Sequence, residues 1–329
     1  MSNTGNPLTA DTTDVSTKSL VLPAPVMQRF LCQPGFLLAR INQFYVALYG
    51  ELSRGETLAQ AEFLLLLASS KEPDQISLAR AAGVDTSTTA LILDNLETRG
   101  HVQRESDPHD RRRSILRLTP AGRKQLVGVR EAFLETQARL VEPLNRTVVA
   151  ALVRVLRQIG ANPMSPAPLW IPEDRHAGVG ENVVTSSPGF LCRRALQVSE
   201  AYFLSCAAPL NLTPRQFSVL FIVNRHARLS QSAFSRVFGL DPATCAVIMK
   251  NLSSRGLLDR TVDAEDKRKR LYSLTAAGKQ TLRAAQPLVD KSERLVLHGL
   301  TKAQVRELVE QLQRIVAIHN RRLGFCFPA

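Results

Sequence analysis

No run of 18 apolar residues occurs in the 329-residue sequence, and a stretch such as Phe63–Ala68 suits only a buried helix segment. The start of the chain is polar and lacks the charged segment and apolar core of a secretory signal. Cysteines are few, odd in number and scattered (Cys32, Cys192, Cys206, Cys245, Cys326), with no Cys-x-x-Cys. That excludes a disulfide framework or zinc site and points to a reducing cytoplasm. The six histidines are dispersed, and there is no Ser/His/Asp order, metal-ligand spacing or Gly-rich phosphate loop. The sequence therefore reads as neither an enzyme nor a holder of metal or cofactor. What it does have is enough hydrophobic residues, 44%, for real cores, and a formal net charge of +13. Length favours two domains, and the charge favours a polyanionic partner, nucleic acid or an anionic surface.

One stretch occurs twice. Asp107, Asp110, Arg112, Leu118, Thr119 and Gly122 recur as Asp263, Asp266, Arg268, Leu274, Thr275 and Gly278, all at an offset of 156. Each copy reads as a basic hairpin followed by a helix start, with Thr119 and Thr275 as N-caps and Pro120 at the first helical position. Upstream, the word Pro-Gly-Phe opens a helix at Pro34 and again at Pro188, and Phe63 pairs with Phe217 at an offset of 154. Between these lie a short helix, a turn (Gly83-Val84-Asp85; Gly239-Leu240-Asp241) and a second helix stopped by Gly100 or Gly256. Helix, tight turn, helix and basic hairpin make a winged helix-turn-helix, twice. After each wing comes an amphipathic stripe, Val149, Leu152, Val153, Leu156 and Ile159, repeated at Val305, Leu308, Val309, Leu312 and Ile315. The expected organisation is a disordered tail (1–26), a first domain (27–160), a Pro- and Gly-rich linker (161–187) and a second domain (188–329).

These motifs resemble the MarR family (multiple antibiotic resistance regulators) over about 34–160 and again over 188–323. The resemblance rests on the Phe63 and Phe217 helix starts, the helix-turn-helix, the Asp110/Arg112 and Asp266/Arg268 wing pairs, and the Leu-Thr-x-x-Gly exits. It implies a mainly α fold with small β-wings, an α+β winged helix-turn-helix. Such proteins are obligate dimers with interleaved terminal helices, so two copies in one chain imply an intramolecular pseudo-dimer. A flexible linker of this length covers roughly 30 Å, and the two stripes would meet in the interface.

The expected DNA contacts are Thr86, Ser87, Thr88 and Thr89 at the start of the first recognition helix, and Thr244 and Lys250 on the second. On the wings they are Arg111, Arg112 and Arg113, and Lys267, Arg268 and Lys269. The resemblance implies that Asp110 and Asp266 brace the wing arginine. It also implies a small-molecule effector, an aromatic carboxylate by class, for which Arg40, Tyr45, Tyr49, Arg194 and Tyr202 have suitable chemistry; ordinary interface packing is the competing reading of each. The whole reads as a ligand-responsive transcriptional regulator, a repressor, whose partner is a double-stranded DNA operator with two unequal half-sites. Two alternatives stay open: a protein-interaction module with DNA binding degraded in one half, and a redox sensor acting through Cys32, Cys192 or Cys245.

Overall fold

The computed structural model describes residues 29–53, 55–108, 113–172, 182–225, 229–238, 240–264, 266–267 and 269–322. The expected tail at 1–26, the wing-tip residues Asp110, Arg111, Arg112 and Arg268, and Cys326 lie outside them.

The first half runs α1 (Pro34–Leu52), α2 (Leu58–Ser69), α3 (Gln75–Ala82), α4 (Thr86–Thr98), β1 (Val102–Ser106), β2 (Ser114–Leu118), α5 (Pro120–Val141) and α6 (Arg146–Gly160). The second runs α7 (Pro188–Ala207), α8 (Pro214–Arg225), β3 (Leu229–Ser230), α9 (Gln231–Phe238), α10 (Pro242–Ser254), β4 (Leu258–Val262), β5 (Arg270–Leu274), α11 (Ala276–Val296) and α12 (Lys302–Arg322). Among the described residues no helix is long and apolar enough to cross a membrane.

Local chemistry sets the boundaries where the sequence places them. The Thr119 and Thr275 hydroxyls accept from the Gly122 and Gly278 amides, satisfying N–H groups that have no partner inside the helix. Gly100 and Gly256, at φ 70° and 67°, take the left-handed turn that ends each recognition helix. The wing hairpins pair antiparallel in the same register, Val102 with Leu118 and Leu258 with Leu274. Among the described residues a third strand joins only the second wing, where Leu229 pairs with Tyr272. Its counterpart is Pro73, which accepts from the Leu116 amide at 2.8 Å but has no N–H to return.

The two halves share one core. α1 packs on α7 and α12, and α6 packs on α7 and α12. Leu37, Phe44, Leu152 and Leu156 of the first half lie in the same buried cluster as Phe190, Leu308, Leu312 and Ile315 of the second. Both amphipathic stripes thus meet in the intramolecular interface. α1 is more deeply buried than a one-faced helix: Leu37, Leu38, Ile41, Phe44, Tyr45, Leu48 and Tyr49 are all inside. Buried polar contacts fix the register between halves; Arg40 Nε donates to Asn320 Oδ1 (3.0 Å) and the Gly189 amide to Gln137 Oε1 (2.8 Å).

The linker departs from the expected free coil at both described ends. Trp170, only 5% exposed, donates from its indole to the Ala81 carbonyl, and the Ile171 amide donates to Arg80 O. Val184 and Thr185 are buried as well. An apolar ring in a Pro-rich segment has been drawn into the core because the fold leaves a gap for it.

Candidate DNA interface and effector cavity

The recognition helices α4 and α10 each start on an aspartate. The Asp85 carboxylate accepts from the Thr88 amide (2.8 Å) and from the Ser87 and Thr88 hydroxyls, which hold it well below the usual carboxylate range. Asp241 accepts from the Thr244 amide at 2.8 Å, with its pKa lowered by the same contacts. Thr86, Ser87 and Thr88 are exposed, as expected of DNA contacts, and so is Lys250; Thr244 is half-buried. Thr89 is a correction. It is fully buried, and its hydroxyl donates to the Asp85 carbonyl, because it stands on the inward stripe of Leu93 and Leu96.

Two outward residues escaped the sequence reading: Leu91, 64% exposed, and Val247, 68% exposed, at matching positions of the two helices. Around them the exposed faces differ. The first presents Ser87, Leu91, Asp94 and Asn95; the second presents Ala243, Val247, Lys250 and Asn251. Asp94 accepts from Arg104 at 2.6 Å, and Arg104 also pairs with Glu97, so acidic charge on the first helix is partly neutralised from its own wing.

The wings are braced unequally. Arg113, expected on DNA, is turned to the protein: Nε donates to Asp74 (2.9 Å), Nη1 to Asp107 (3.1 Å) and Nη2 to the Glu72 carbonyl. The bracing acids found here are Asp74 and Asp107, whereas the expected Asp110 lies outside the described residues. In the second wing Lys269 makes a 3.5 Å exposed pair with Asp266, the wing arginine Arg268 that Asp266 is expected to brace lies outside the described residues, and Lys267 is exposed.

Burial pushes the Cys192 thiol up to about 12 and the Cys245 thiol up to about 11, so both stay protonated at neutral pH. Cys32 is exposed.

A cavity of about 310 Å³ opens between α1, α7 and α11 and the second reading head. Phe30, Phe36, Phe203, Phe217, Phe234 and Phe238 supply aromatic walls; Arg40, Asn42, Gln43, Ser199 and Ser292 supply polar ones. The Arg40 guanidinium lies over Phe44, donates to Gln43 Oε1 (2.6 Å) and the Phe238 carbonyl (3.2 Å), and is pulled down to about 10 by burial. It stays charged at neutral pH, and these hydrogen-bond partners are neutral. Asn42 Oδ1 is buried without a hydrogen-bond partner. Glu200 and Glu293 also line the cavity, and burial raises the pKa of each, with nearby Asp290 adding to the rise and Arg29 opposing it at Glu293.

Of the five residues expected to hold an effector, only Arg40 lines this cavity. Tyr45 is fully buried with its hydroxyl on Glu62, and Tyr49 is buried beside it on α1. Arg194 is buried, donates to the Gly160 carbonyl and sits over Trp170; Tyr202 accepts from Asn162. These four are interface packing. Arg40 and Arg194 are the same residue at matching positions, so the arginines alone gave the sequence no means of telling an open wall from a filled one.

Two winged helix-turn-helix heads on a shared helical core define a DNA-binding protein of bacterial-regulator type. The chain belongs to the MarR family: MarR family profiles match residues 57–114 and 210–269. It is 35% identical over 104 residues to transcriptional regulator HosA of Escherichia coli, spanning 32% of this chain and 76% of HosA. It is 29% identical over 133 residues to the HTH-type transcriptional repressor NicR of Pseudomonas putida, spanning 40% of this chain and 84% of NicR. Most of a relative thus fits within less than half of this chain, as a tandem repeat requires. Among solved structures, the transcriptional repressor CouR bound to a 23-mer DNA duplex is 27% identical, covering 44% of this chain and 99% of that one, with a TM-score of 0.39.

Proposed function

We propose that this chain is a repressor that sets two unequal heads on the two half-sites of one operator and is released by a small aromatic acid. The observation that carries the reading is the shared core between halves, which fixes two dissimilar recognition faces relative to one another. Leu91 and Val247 suit contact with thymine methyl groups, and Lys250 suits guanine or phosphate. Aromatic walls with the buried Arg40 cation suit a ring bearing a carboxylate. That the relative NicR is a transcriptional repressor supports the sign of regulation.

The test is binding to the chain's own upstream intergenic DNA across a salt series, with and without aromatic acids. The expected result is sequence-specific binding, steeply salt-dependent and weakened by at least one acid. Lys250→Gln is expected to flatten the log–log salt slope by about one unit if the ammonium meets a phosphate. Protection of only the half-site under the second head would favour the interaction-module reading. In that case the first head, with Asp94 and Glu97 on its helix, would serve a protein contact.

A further inference from the structure

The effector cavity has a counterpart position by pseudo-symmetry, and this chain fills it. The offset of 154 up to Phe63/Phe217 and 156 beyond maps Ser199 onto Tyr45, Ala39 onto Arg193, Gln216 onto Glu62 and Val289 onto Phe133. At the cavity-lining positions Ser199, Ala39 and Val289 the open side has the smaller residue, and Gln216, held by Thr213 and Asn251 beside the cavity, is uncharged. Tyr45 and Phe133 are fully buried, their rings edge to face at 6.4 Å. Tyr45 lies against Gly189, where an added Cβ would stand 2.7 Å from its ring; the matching Gly35 faces the Ser199 hydroxyl instead.

Arg193 reaches from the second half to Glu62 of the first at 3.0 Å and lies over Phe190. The Tyr45 hydroxyl donates to the other Glu62 oxygen at 3.0 Å. Trp170, from the linker, closes the remainder, tilted against Phe190 at 5.8 Å. A carboxylate, a guanidinium and an aromatic ring, the same groups an aromatic acid and its arginine would bring together, are already in place there.

We infer that the chain binds one aromatic carboxylate, beneath the second head only, because its own side chains permanently occupy the equivalent place beneath the first. This rests on the reading of the open cavity as an effector site. It makes the first head a fixed anchor and the second the ligand-controlled one, so a single binding event governs an operator complex.

The test is calorimetric titration of the full chain with benzoate, 4-hydroxybenzoate, phenylacetate and cinnamate. One equivalent per chain is expected for any acid that binds. Ser199→Tyr, which installs the counterpart residue opposite Gly35, is expected to weaken binding at least tenfold. The emission of the single tryptophan, Trp170, reports that the filled side remains packed. The variant Y45S/E62Q/F133V/R193A, carrying the four counterpart residues of the other half, is expected to bind two equivalents. Should it fail to fold, Ser199→Tyr still decides. Two equivalents on the unaltered chain, or one equivalent in a folded quadruple variant, would overturn the inference while leaving the effector reading intact; full affinity in Ser199→Tyr would overturn both. No binding by any of the four acids would overturn both.

Discussion

Arg193→Ala is expected to destabilise the chain by about 3–5 kcal/mol, the range for removing one partner of a buried ion pair. Glu62 is only 3% exposed, and its nearest cation comes from the other half. Burial raises its pKa, while Arg193 and the Tyr45 hydroxyl pull it back. Without the guanidinium the carboxylate keeps only the Tyr45 hydrogen bond. The sign of the pH dependence follows. A folded-state pKa above the unfolded one means that the folded chain binds the extra proton, so stability falls as pH rises through the raised value. The deficit of Arg193→Ala in urea unfolding is therefore expected to shrink from mildly alkaline to mildly acidic buffer. Adding Glu62→Gln should recover most of it. A deficit that is large but indifferent to pH would mean that lost packing on Phe190, rather than an abandoned charge, is responsible.

Gly122→Ala is expected to cost about 3 kcal/mol and to weaken operator binding through the first wing. A Cβ at this position would overlap the carbonyl oxygen of His101, a backbone atom that cannot swing aside. That carbonyl accepts from the Thr119 amide, and the Thr119 hydroxyl accepts from the Gly122 amide. Helix start and wing base therefore share one small space. Gly278 meets the Leu257 carbonyl in the same way, so Gly278→Ala should behave alike in the second half. Thermal unfolding measures the stability, and a tolerated alanine at both positions would contradict the close approach.

The repeat, the heads and the caps were legible because they rest on local rules. Thr119 and Thr275 cap, Gly100 and Gly256 terminate, and the two stripes bury, each through chemistry confined to a few neighbouring residues. Two misreadings were avoidable by the same rules. Thr89 stands four residues before Leu93 and seven before Leu96, an inward spacing. Asp107 and Arg113 flank the last wing pair, Ser106 with Ser114, so they face each other across the hairpin mouth. The cavity was not legible. Arg40 and Arg194 are equivalent in sequence and both buried, and what separates them is whether Ser199 or Tyr45, Val289 or Phe133, stands nearby in space. Nor did the linker's composition disclose that Trp170 would complete a core between Gly83 and Gly160.

The central claim is that one chain does the work of a dimer. Light scattering of the complex with a single operator duplex, coupled to footprinting, tests it most directly. The expected result is one 329-residue chain per duplex with both half-sites protected about one helical turn apart. Two chains per duplex, each protecting one half-site, would contradict it.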